Sequence, residues 1–171
     1  IENRVLRSNC GLMDQISITH SKQGLATLLD FSRMSIESFR MPEDWRFKLV
    51  DTGIRRSLSD TNYSSTEVNM QPRRIHAEEE SARVRIALTS DARALGSILN
   101  ESHESISDNI RSSTPEIDNM VKAVQNTAGV YGARLMGGGF GGMILALVEE
   151  EDAIPGELLV SSGPAFLQKT L

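Results

Sequence analysis

The sequence predicts an α+β fold, in which antiparallel strands and helices occupy separate stretches of the chain. Two apolar runs that read as strands, 130–136 and 143–148, flank a short glycine-rich stretch, so we expect adjacent strands joined by a loop. Before them, from about Ile75 to Thr127, apolar residues recur at helical spacing. A chain of 171 residues with 39% hydrophobic content can bury one sizeable core, so we predict a single domain over 1–171.

The N-terminal third of the chain carries one predicted helix and two predicted strands. Polar residues and a glycine precede the helix over 12–20, and Gly24 ends that segment. The mostly apolar stretch 25–31 predicts a strand, and the alternating polar and apolar residues of 46–52 predict a second, half-buried strand. The polar, irregular residues 53–63 predict a surface loop.

The next part of the chain is predicted to be mainly helical. Apolar spacing favours helices over 75–88 and 91–102, and 113–116 has the pattern of a capping box with proline in the first turn of a third helix. Gly129 is a natural C-terminal stop for that third helix. Near the end of the chain, 158–160 reads as a short strand.

Composition and charge argue against several classes of protein. The net charge is -5, and no basic stripe with interleaved aromatic residues is present, which argues against a nucleic-acid partner. The lone cysteine, Cys10, rules out an internal disulfide and favours a reducing compartment. The sequence shows neither a signal peptide nor an apolar run of membrane-spanning length, so we expect a cytoplasmic protein without a membrane partner.

Five of the chain's 13 glycines fall within the six positions 137–142. Such a cluster indicates a backbone held at positive φ or brought close to another group. Two interpretations stay open on these residues alone: a tight hairpin between buried strands, or a loop whose N–H groups bind an anion such as a phosphate. The candidate anion-binding residues are Gly137, Gly138, Gly139, Phe140, Gly141 and Gly142.

The pattern G-x-G-x-x-G within this stretch has to be tested against familiar nucleotide-binding motifs. A dinucleotide-binding turn should open a helix, but 143–148 reads as a strand. A protein-kinase glycine loop needs an H-R-D and a D-F-G elsewhere in the chain, and the sequence contains neither. A G-x-x-x-x-G-K-[ST] phosphate loop is also absent from the sequence.

Single polar residues elsewhere carry weaker signals. Asp14 lies in the first turn of the predicted N-terminal helix, where the helix dipole favours its charged form; an ordinary helix-capping role is the alternative. The histidines His20, His76 and His103 show no metal-ligand spacing with one another or with Cys10. We therefore interpret them as surface or structural residues.

The order of these motifs along the chain resembles the galactokinases of the GHMP small-molecule kinase superfamily, and the resemblance extends over most of the chain. It rests on Cys-Gly-Leu-Met-Asp-Gln at 10–15, Arg-Ser-Leu at 56–58 followed by Tyr63, Glu-Ser-His at 101–103, Ser113-x-Pro115-Glu116-x-Asp118, and Gly-Gly-Gly-Phe-Gly-Gly at 137–142. The first and the last of these motifs are the most specific.

The resemblance implies a role for each matching residue. Asp14 matches the carboxylate that faces the 1-hydroxyl of the sugar and is proposed as the catalytic base. Gly11 matches a backbone contact to the sugar, and Tyr63 a side chain that hydrogen-bonds it. Glu2 matches an acidic residue that helps to hold Mg²⁺, and 137–142 match the loop that buttresses the phosphate site. The implied cofactors are ATP and Mg²⁺, and the implied substrate is galactose or a related hexose.

The resemblance also implies the C-terminal domain of that superfamily, a ferredoxin-like antiparallel sheet with helices packed on one face. Three features depart from the family pattern. The sequence has no Gly-Leu-Ser-Ser-Ser-Ala-type nucleotide motif, the segment between Tyr63 and Ile75 is short, and the helix expected between Asp152 and Leu158 is reduced to a few residues. We therefore expect the C-terminal part of such a kinase without its N-terminal ATP-binding domain, with 1–22 as the tail end of the segment that carries the catalytic motif.

On this interpretation the isolated chain is expected to be inactive, because no motif is present to hold the triphosphate. Three alternatives stay open. One is a sister kinase acting on N-acetylgalactosamine or another hexose, and another is a non-catalytic sensor that binds galactose and ATP. The third is a degenerate fragment without a ligand, whose exposed domain interface would promote self-association.

Overall fold

The computed structural model describes residues 11–55 and 70–165. These residues divide into two compact units, one containing 11–42 and 160–165, the other containing 43–55 and 70–159. A single domain can contain two such units, so the expectation of one domain over 1–171 stays a prediction.

The first unit consists of a short helix and a β-hairpin. Helix α1 spans Met13–His20, strand β1 spans Leu25–Asp30, and strand β2 spans Ser35–Arg40. The two strands pair in antiparallel register, from Leu25 opposite Arg40 to Asp30 opposite Ser35. The helix and the first strand agree with the prediction to within a residue at each end.

Strand β2 was not predicted from the sequence. Four of its six residues are polar or charged in a mixed order, and most of the strand is exposed, so it carries no clear period-2 signal. Its position follows instead from the turn before it, where the carboxylate Oδ1 of Asp30 accepts the N–H groups of Ser32 at 2.9 Å and Arg33 at 3.2 Å. Met34 completes the turn with φ +51°.

The second unit is built on a three-stranded antiparallel sheet. Strand β3 spans Arg46–Asp51, β4 spans Val130–Leu135 and β5 spans Met143–Val148, in the spatial order β3-β5-β4. All three strands were predicted, with ends that differ by no more than one residue. The predicted strand at 158–160 does not form; only the N–H of Leu159 donates to a carbonyl of this sheet, Phe47 O, at 2.8 Å.

Three helices belong to the second unit. Helix α2 spans Met70–Ala87, α3 spans Ala92–Ser105, and a turn of π-helix, Ile106–Ile110, continues α3. Helix α4 spans Pro115–Gln125. Helix α2 begins before its predicted start at 75, and α3 ends after its predicted end at 102. The π-helical turn that continues α3 was not expected. No helix among residues 11–55 and 70–165 combines the length and apolar character needed to cross a membrane.

The cap of α4 differs by one residue from the prediction. The capping box predicted at 113–116 would place Ser113 at the N-cap, but the N-cap is Thr114, whose hydroxyl accepts the N–H of Ile117 at 3.4 Å. Pro115 lies in the first turn of the helix, as predicted, and occupies its first position because the N-cap is Thr114.

The core lies between α4 and the sheet. Ile117 and Val121 of α4 are fully buried against apolar side chains of β4 and β5. The sheet residues of this core are Ala133, Leu135, Ile144, Ala146 and Val148. Helices packed against an antiparallel sheet confirm the predicted α+β fold.

Helix α3 packs along β4 at a distance that excludes side chains. A Cβ atom added at Gly132 would lie 2.0 Å from the carbonyl oxygen of Gly96, so the two backbones touch directly. This close approach places the polar side chains of α3 within reach of the β4 backbone.

Candidate functional site

The glycine-rich stretch forms the loop that joins β4 to β5, as predicted. The N–H of Met136 donates to the carbonyl of Met143 at 2.9 Å and closes the base of the loop. Positive φ angles occur at Gly137 (71°), Gly139 (88°), Phe140 (60°), Gly141 (150°) and Gly142 (92°). We refer to residues 136–142 as the glycine loop.

Besides the N–H of Met136 at its base, two N–H groups of the glycine loop are already used by protein carbonyls. Phe140 N donates to Ser112 O at 2.7 Å, and Gly142 N donates to Ile54 O at 3.0 Å. The carbonyl of Gly142 in turn accepts both the N–H of Thr52, at 3.0 Å, and its hydroxyl, at 2.8 Å. These donors therefore face protein backbone instead of an anion.

Two glycines of the loop are required by these contacts. A Cβ atom at Gly139 would lie 2.1 Å from Ser112 O, and one at Gly141 would lie 2.5 Å from Ile54 O. Both distances are far below van der Waals contact, so no larger residue fits without moving the neighbouring chain. The interpretation as a tight, closely packed turn is thus correct for this half of the loop.

Other N–H groups of the glycine loop, before and after Phe140, have no acceptor among the residues described. Within residues 11–55 and 70–165, the N–H groups of Gly137, Gly138 and Gly141 donate to no other residue. Gly137 is exposed and Gly138 half-buried. Successive free N–H groups of this kind can bind an anionic oxygen, so the interpretation as an anion-binding loop stays a prediction for these residues.

The partner of the loop, Ser112, is placed by an unusual chain path. After the π-helical turn, Arg111 adopts φ +55°, and the N–H of Ser112 returns to the carbonyl of Ile106 at 3.2 Å. This reversal directs the carbonyl of the buried Ser112 toward the glycine loop. A π-helical turn with a left-handed residue after it is difficult to predict from sequence, because both depend on packing.

A partly buried polar network lies beside β4, immediately before the loop. Arg134 Nη1 donates to Glu80 Oε1 at 2.6 Å and to Ser102 Oγ at 2.7 Å, and the Ser102 hydroxyl donates to Glu80 Oε1 at 2.6 Å. Burial raises the pKa of Glu80, but the hydroxyl of Ser102 and the charge of Arg134 outweigh it and lower the pKa overall. Glu80 is therefore ionised and paired at neutral pH.

His103 lies at the centre of a second set of contacts. Its Nδ1 accepts the N–H of Leu135 at 3.4 Å, and its Nε2 lies 3.3 Å from Asp118 Oδ1. Asp118 Oδ2 also accepts the hydroxyl of Ser107 at 2.9 Å. Burial lowers the pKa of His103, and the nearby Asp118 carboxylate only partly offsets this effect.

These contacts confirm the structural interpretation of two histidines. His103 is 6% exposed, and the half-buried His76 has its Nδ1 3.0 Å from the hydroxyl of Ser105. The sequence signal that could have revealed the polar clusters is the motif Glu-Ser-His at 101–103 together with Asp118.

The residues predicted to bind the sugar lie in the first unit or outside the described residues. Asp14 is exposed in the first turn of α1, and the N-cap of α1 is Leu12 without a side-chain cap, so Asp14 is not the capping residue. Gly11 is exposed just before the helix. Glu2 and Tyr63 lie outside the described residues. The convergence of Asp14 with the glycine loop, which belongs to the second unit, stays a prediction.

Magnesium has no complete set of ligands among the residues described. Across 11–55 and 70–165, no group of three or more histidine, cysteine, aspartate or glutamate side chains could hold a metal ion. The one carboxylate assigned to magnesium by resemblance, Glu2, lies outside this part of the chain. The assignment of Glu2 therefore stays a prediction.

Comparison with known proteins matches the second unit to one family. The family model for the C-terminal domain of GHMP kinases matches residues 83–155. This range begins near the end of α2 and ends after β5, so it contains α3, α4, the glycine loop, His103, Asp118 and Arg134, but not Glu80.

Among solved structures, the galactokinase of Lactococcus lactis in complex with galactose is similar with a TM-score of 0.76 and 26% sequence identity. The match covers 86% of this chain and 49% of that one. Mevalonate kinase of L. major in complex with R-mevalonate has a TM-score of 0.52 at 20% identity, covering 75% of this chain and 41% of that one. A second mevalonate kinase structure has a TM-score of 0.53 at 20% identity, covering 68% and 38%. The chain thus spans about half the length of the galactokinase it matches.

Proposed function

We propose that this chain is the C-terminal part of an ATP-dependent galactokinase, because the family model for the C-terminal domain of GHMP kinases matches residues 83–155. The complete enzyme would convert galactose and ATP to galactose 1-phosphate and ADP. The observation that carries the proposal is the similarity to a galactokinase, with a TM-score of 0.76 over 86% of the chain. The mevalonate kinases share the fold with lower TM-scores and at 20% identity.

The proposed catalytic residue is Asp14, which would orient the 1-hydroxyl of galactose and accept its proton as the phosphoryl group arrives. Its carboxylate is exposed and, among the residues described, makes no hydrogen bond or ion pair that would compete with a substrate. Gly11, just before it, would supply the backbone contact to the sugar, and Tyr63 a side-chain hydrogen bond.

The glycine loop would hold phosphate oxygens through its unused donors. The N–H groups of Gly137, Gly138 and Gly141 suit this role, while those of Phe140 and Gly142 fix the loop to the protein. Magnesium, when bound, would neutralise phosphate charge, with Glu2 as one residue that would help to hold it.

The 171-residue chain by itself is expected to be inactive. Its sequence contains no serine-rich nucleotide motif, and it spans about half of the matched galactokinase. The single cysteine favours a reducing compartment, so the proposal places the enzyme in the cytoplasm.

The test is a coupled ADP-release assay on the natural full-length polypeptide that contains these residues, with galactose, N-acetylgalactosamine and mevalonate as substrates. Galactose is expected to be turned over fastest. Asp14→Asn is expected to lower kcat by roughly 10²–10⁴-fold, in the range for a lost general base, whereas the exposed control Asp152→Asn leaves kcat unchanged.

Each other outcome of the assay would indicate a different function for the protein. Faster turnover of N-acetylgalactosamine would identify the sister kinase. Binding of galactose and ATP without ADP release would identify a non-catalytic sensor. Turnover of mevalonate alone would refute the proposed substrate.

A further inference from the structure

Strand β4 lies at the edge of its sheet, so its outward backbone groups need partners from outside the sheet. Helix α3 supplies them. Asn100 Oδ1 accepts the N–H of Ala133 at 2.9 Å, and His103 Nδ1 accepts the N–H of Leu135 at 3.4 Å. Two side chains three residues apart on one helix face thus serve alternate residues of the strand.

His103 also connects α3 to α4. Its Nε2 lies 3.3 Å from Asp118 Oδ1, a contact between two buried atoms that make no hydrogen bond of suitable geometry to any group among the residues described. Because Nδ1 accepts a hydrogen bond from Leu135, the neutral ring carries its proton on Nε2, the nitrogen that lies beside the carboxylate. A single imidazole therefore joins α3, β4 and α4.

The glycine loop is attached to this arrangement at two points. Leu135 is the residue immediately before the loop, and Phe140, inside it, donates to Ser112 O at 2.7 Å. Ser112 lies between the π-helical turn and α4, and Asp118 belongs to the first turn of α4. The separation of α3 and α4 therefore sets the position of Ser112 relative to Leu135.

We propose that His103 and Asp118 are positioning residues for the glycine loop. By joining α3 to α4 and holding the N–H of Leu135, they fix both ends of the half of the loop that carries the unused donors of Gly137 and Gly138. The structural part of this inference is independent of the reaction. The expected effect on nucleotide binding rests on the proposed function.

Two substitutions of His103 separate its two contacts. The amide oxygen of asparagine is as far from the backbone as Nδ1, so His103→Asn can still accept the N–H of Leu135 but cannot reach Asp118. The amide of glutamine reaches the position of Nε2, so His103→Gln can still donate to Asp118 but leaves Leu135 without an acceptor. His76→Gln is the matched control, because it removes a half-buried histidine whose Nδ1 lies beside a hydroxyl of α3 instead of an N–H of β4.

Amide hydrogen exchange in the natural full-length polypeptide measures loop positioning directly. His103→Gln is expected to accelerate exchange of the Phe140 and Gly142 N–H groups by about tenfold, His103→Asn by about threefold, and His76→Gln not at all. Equal acceleration in all three variants, or none in His103→Gln, would overturn the proposal. Asp118→Leu, expected to accelerate exchange at Phe140, provides the test if His103→Gln does not fold.

The kinetic arm uses the same variants. In an active enzyme, His103→Gln is expected to raise KM for ATP by about tenfold while KM for galactose stays within about twofold, a split that general destabilisation does not produce. Equal changes in both constants would overturn the role in nucleotide binding. If the protein shows no kinase activity at all, the proposed function fails, while the exchange measurement still decides whether His103 positions the loop.

Discussion

Replacing Gly139 by alanine tests whether the glycine loop is fixed by direct backbone contact. The added Cβ would lie 2.1 Å from Ser112 O and 2.6 Å from Ser112 Cβ, so the loop or the segment before α4 must move. That movement breaks the hydrogen bond from Phe140 N to Ser112 O, which spans 2.7 Å at a buried residue.

The magnitude follows from two contributions to the free energy of unfolding. A left-handed conformation costs alanine about 1–2 kcal/mol, of which the lower entropy of the unfolded chain returns about 0.4–1 kcal/mol. Losing the hydrogen bond and leaving a buried carbonyl unpaired costs about 1–3 kcal/mol more. We therefore expect Gly139→Ala to destabilise the protein by roughly 2–4 kcal/mol.

The matched control is Gly137→Ala. Gly137 has φ +71°, similar to the 88° of Gly139, but open space surrounds the position of its Cβ. This variant is expected to lose only about 1 kcal/mol, the conformational part of the effect. Urea unfolding followed by circular dichroism measures both variants. Equal unfolding midpoints for the two variants would refute the idea that contact with Ser112 requires a glycine at position 139.

The remaining predictions concern buried ionisable groups. Lys48 is 2% exposed and its ammonium donates to two carbonyls, at 2.8 and 2.6 Å, so Lys48→Met should destabilise the protein by about 2–4 kcal/mol in urea unfolding; a loss below about 0.5 kcal/mol would contradict this. Burial lowers the pKa of His103 and of His76, so the unfolded chain binds more protons than the native state below the ordinary histidine pKa of about 6.5. Stability should therefore fall as the pH drops from 7.5 to 5, by at most about 1.4 kcal/mol per pH unit for each histidine. His103→Gln should make the free energy of unfolding depend less on pH. An unchanged slope of that free energy against pH would contradict the assignment of the effect to His103. The pKa of Glu80 is also lowered, so its contribution is present above about pH 4.5 and is lost on further acidification.

Local sequence signals predicted the elements that depend on local interactions. Periodicity predicted the strands flanking the glycine loop, and capping predicted the helix that begins at Pro115. The glycine cluster predicted the positive φ angles found within 137–142. The family resemblance was confirmed for residues 83–155. The roles of Asp14, Gly11, Glu2 and Tyr63 stay predictions.

Features that depend on distant partners were not visible in the sequence. The alternation of 46–52 alone would place Lys48 toward solvent, yet it is the most buried residue of β3, because the carbonyls of Ile154 and Gly156 surround its ammonium. Strand β2 has too weak a pattern to be predicted without its hairpin partner.

The sequence by itself determined that the loop between β4 and β5 is glycine-rich and favours positive φ angles, which glycine adopts at lower cost than other residues, because those angles are a local property of the chain. Only the tertiary structure decided what the glycines approach. The carbonyls of Ser112 and Ile54 come from segments far away in sequence, and they take two of the loop's N–H groups while leaving those of Gly137, Gly138 and Gly141 unused among the residues described. Some N–H groups of the loop have acceptors and others do not, because hydrogen-bond partners across a fold are set by the packing of α3, α4 and β3. No local sequence pattern encodes that packing.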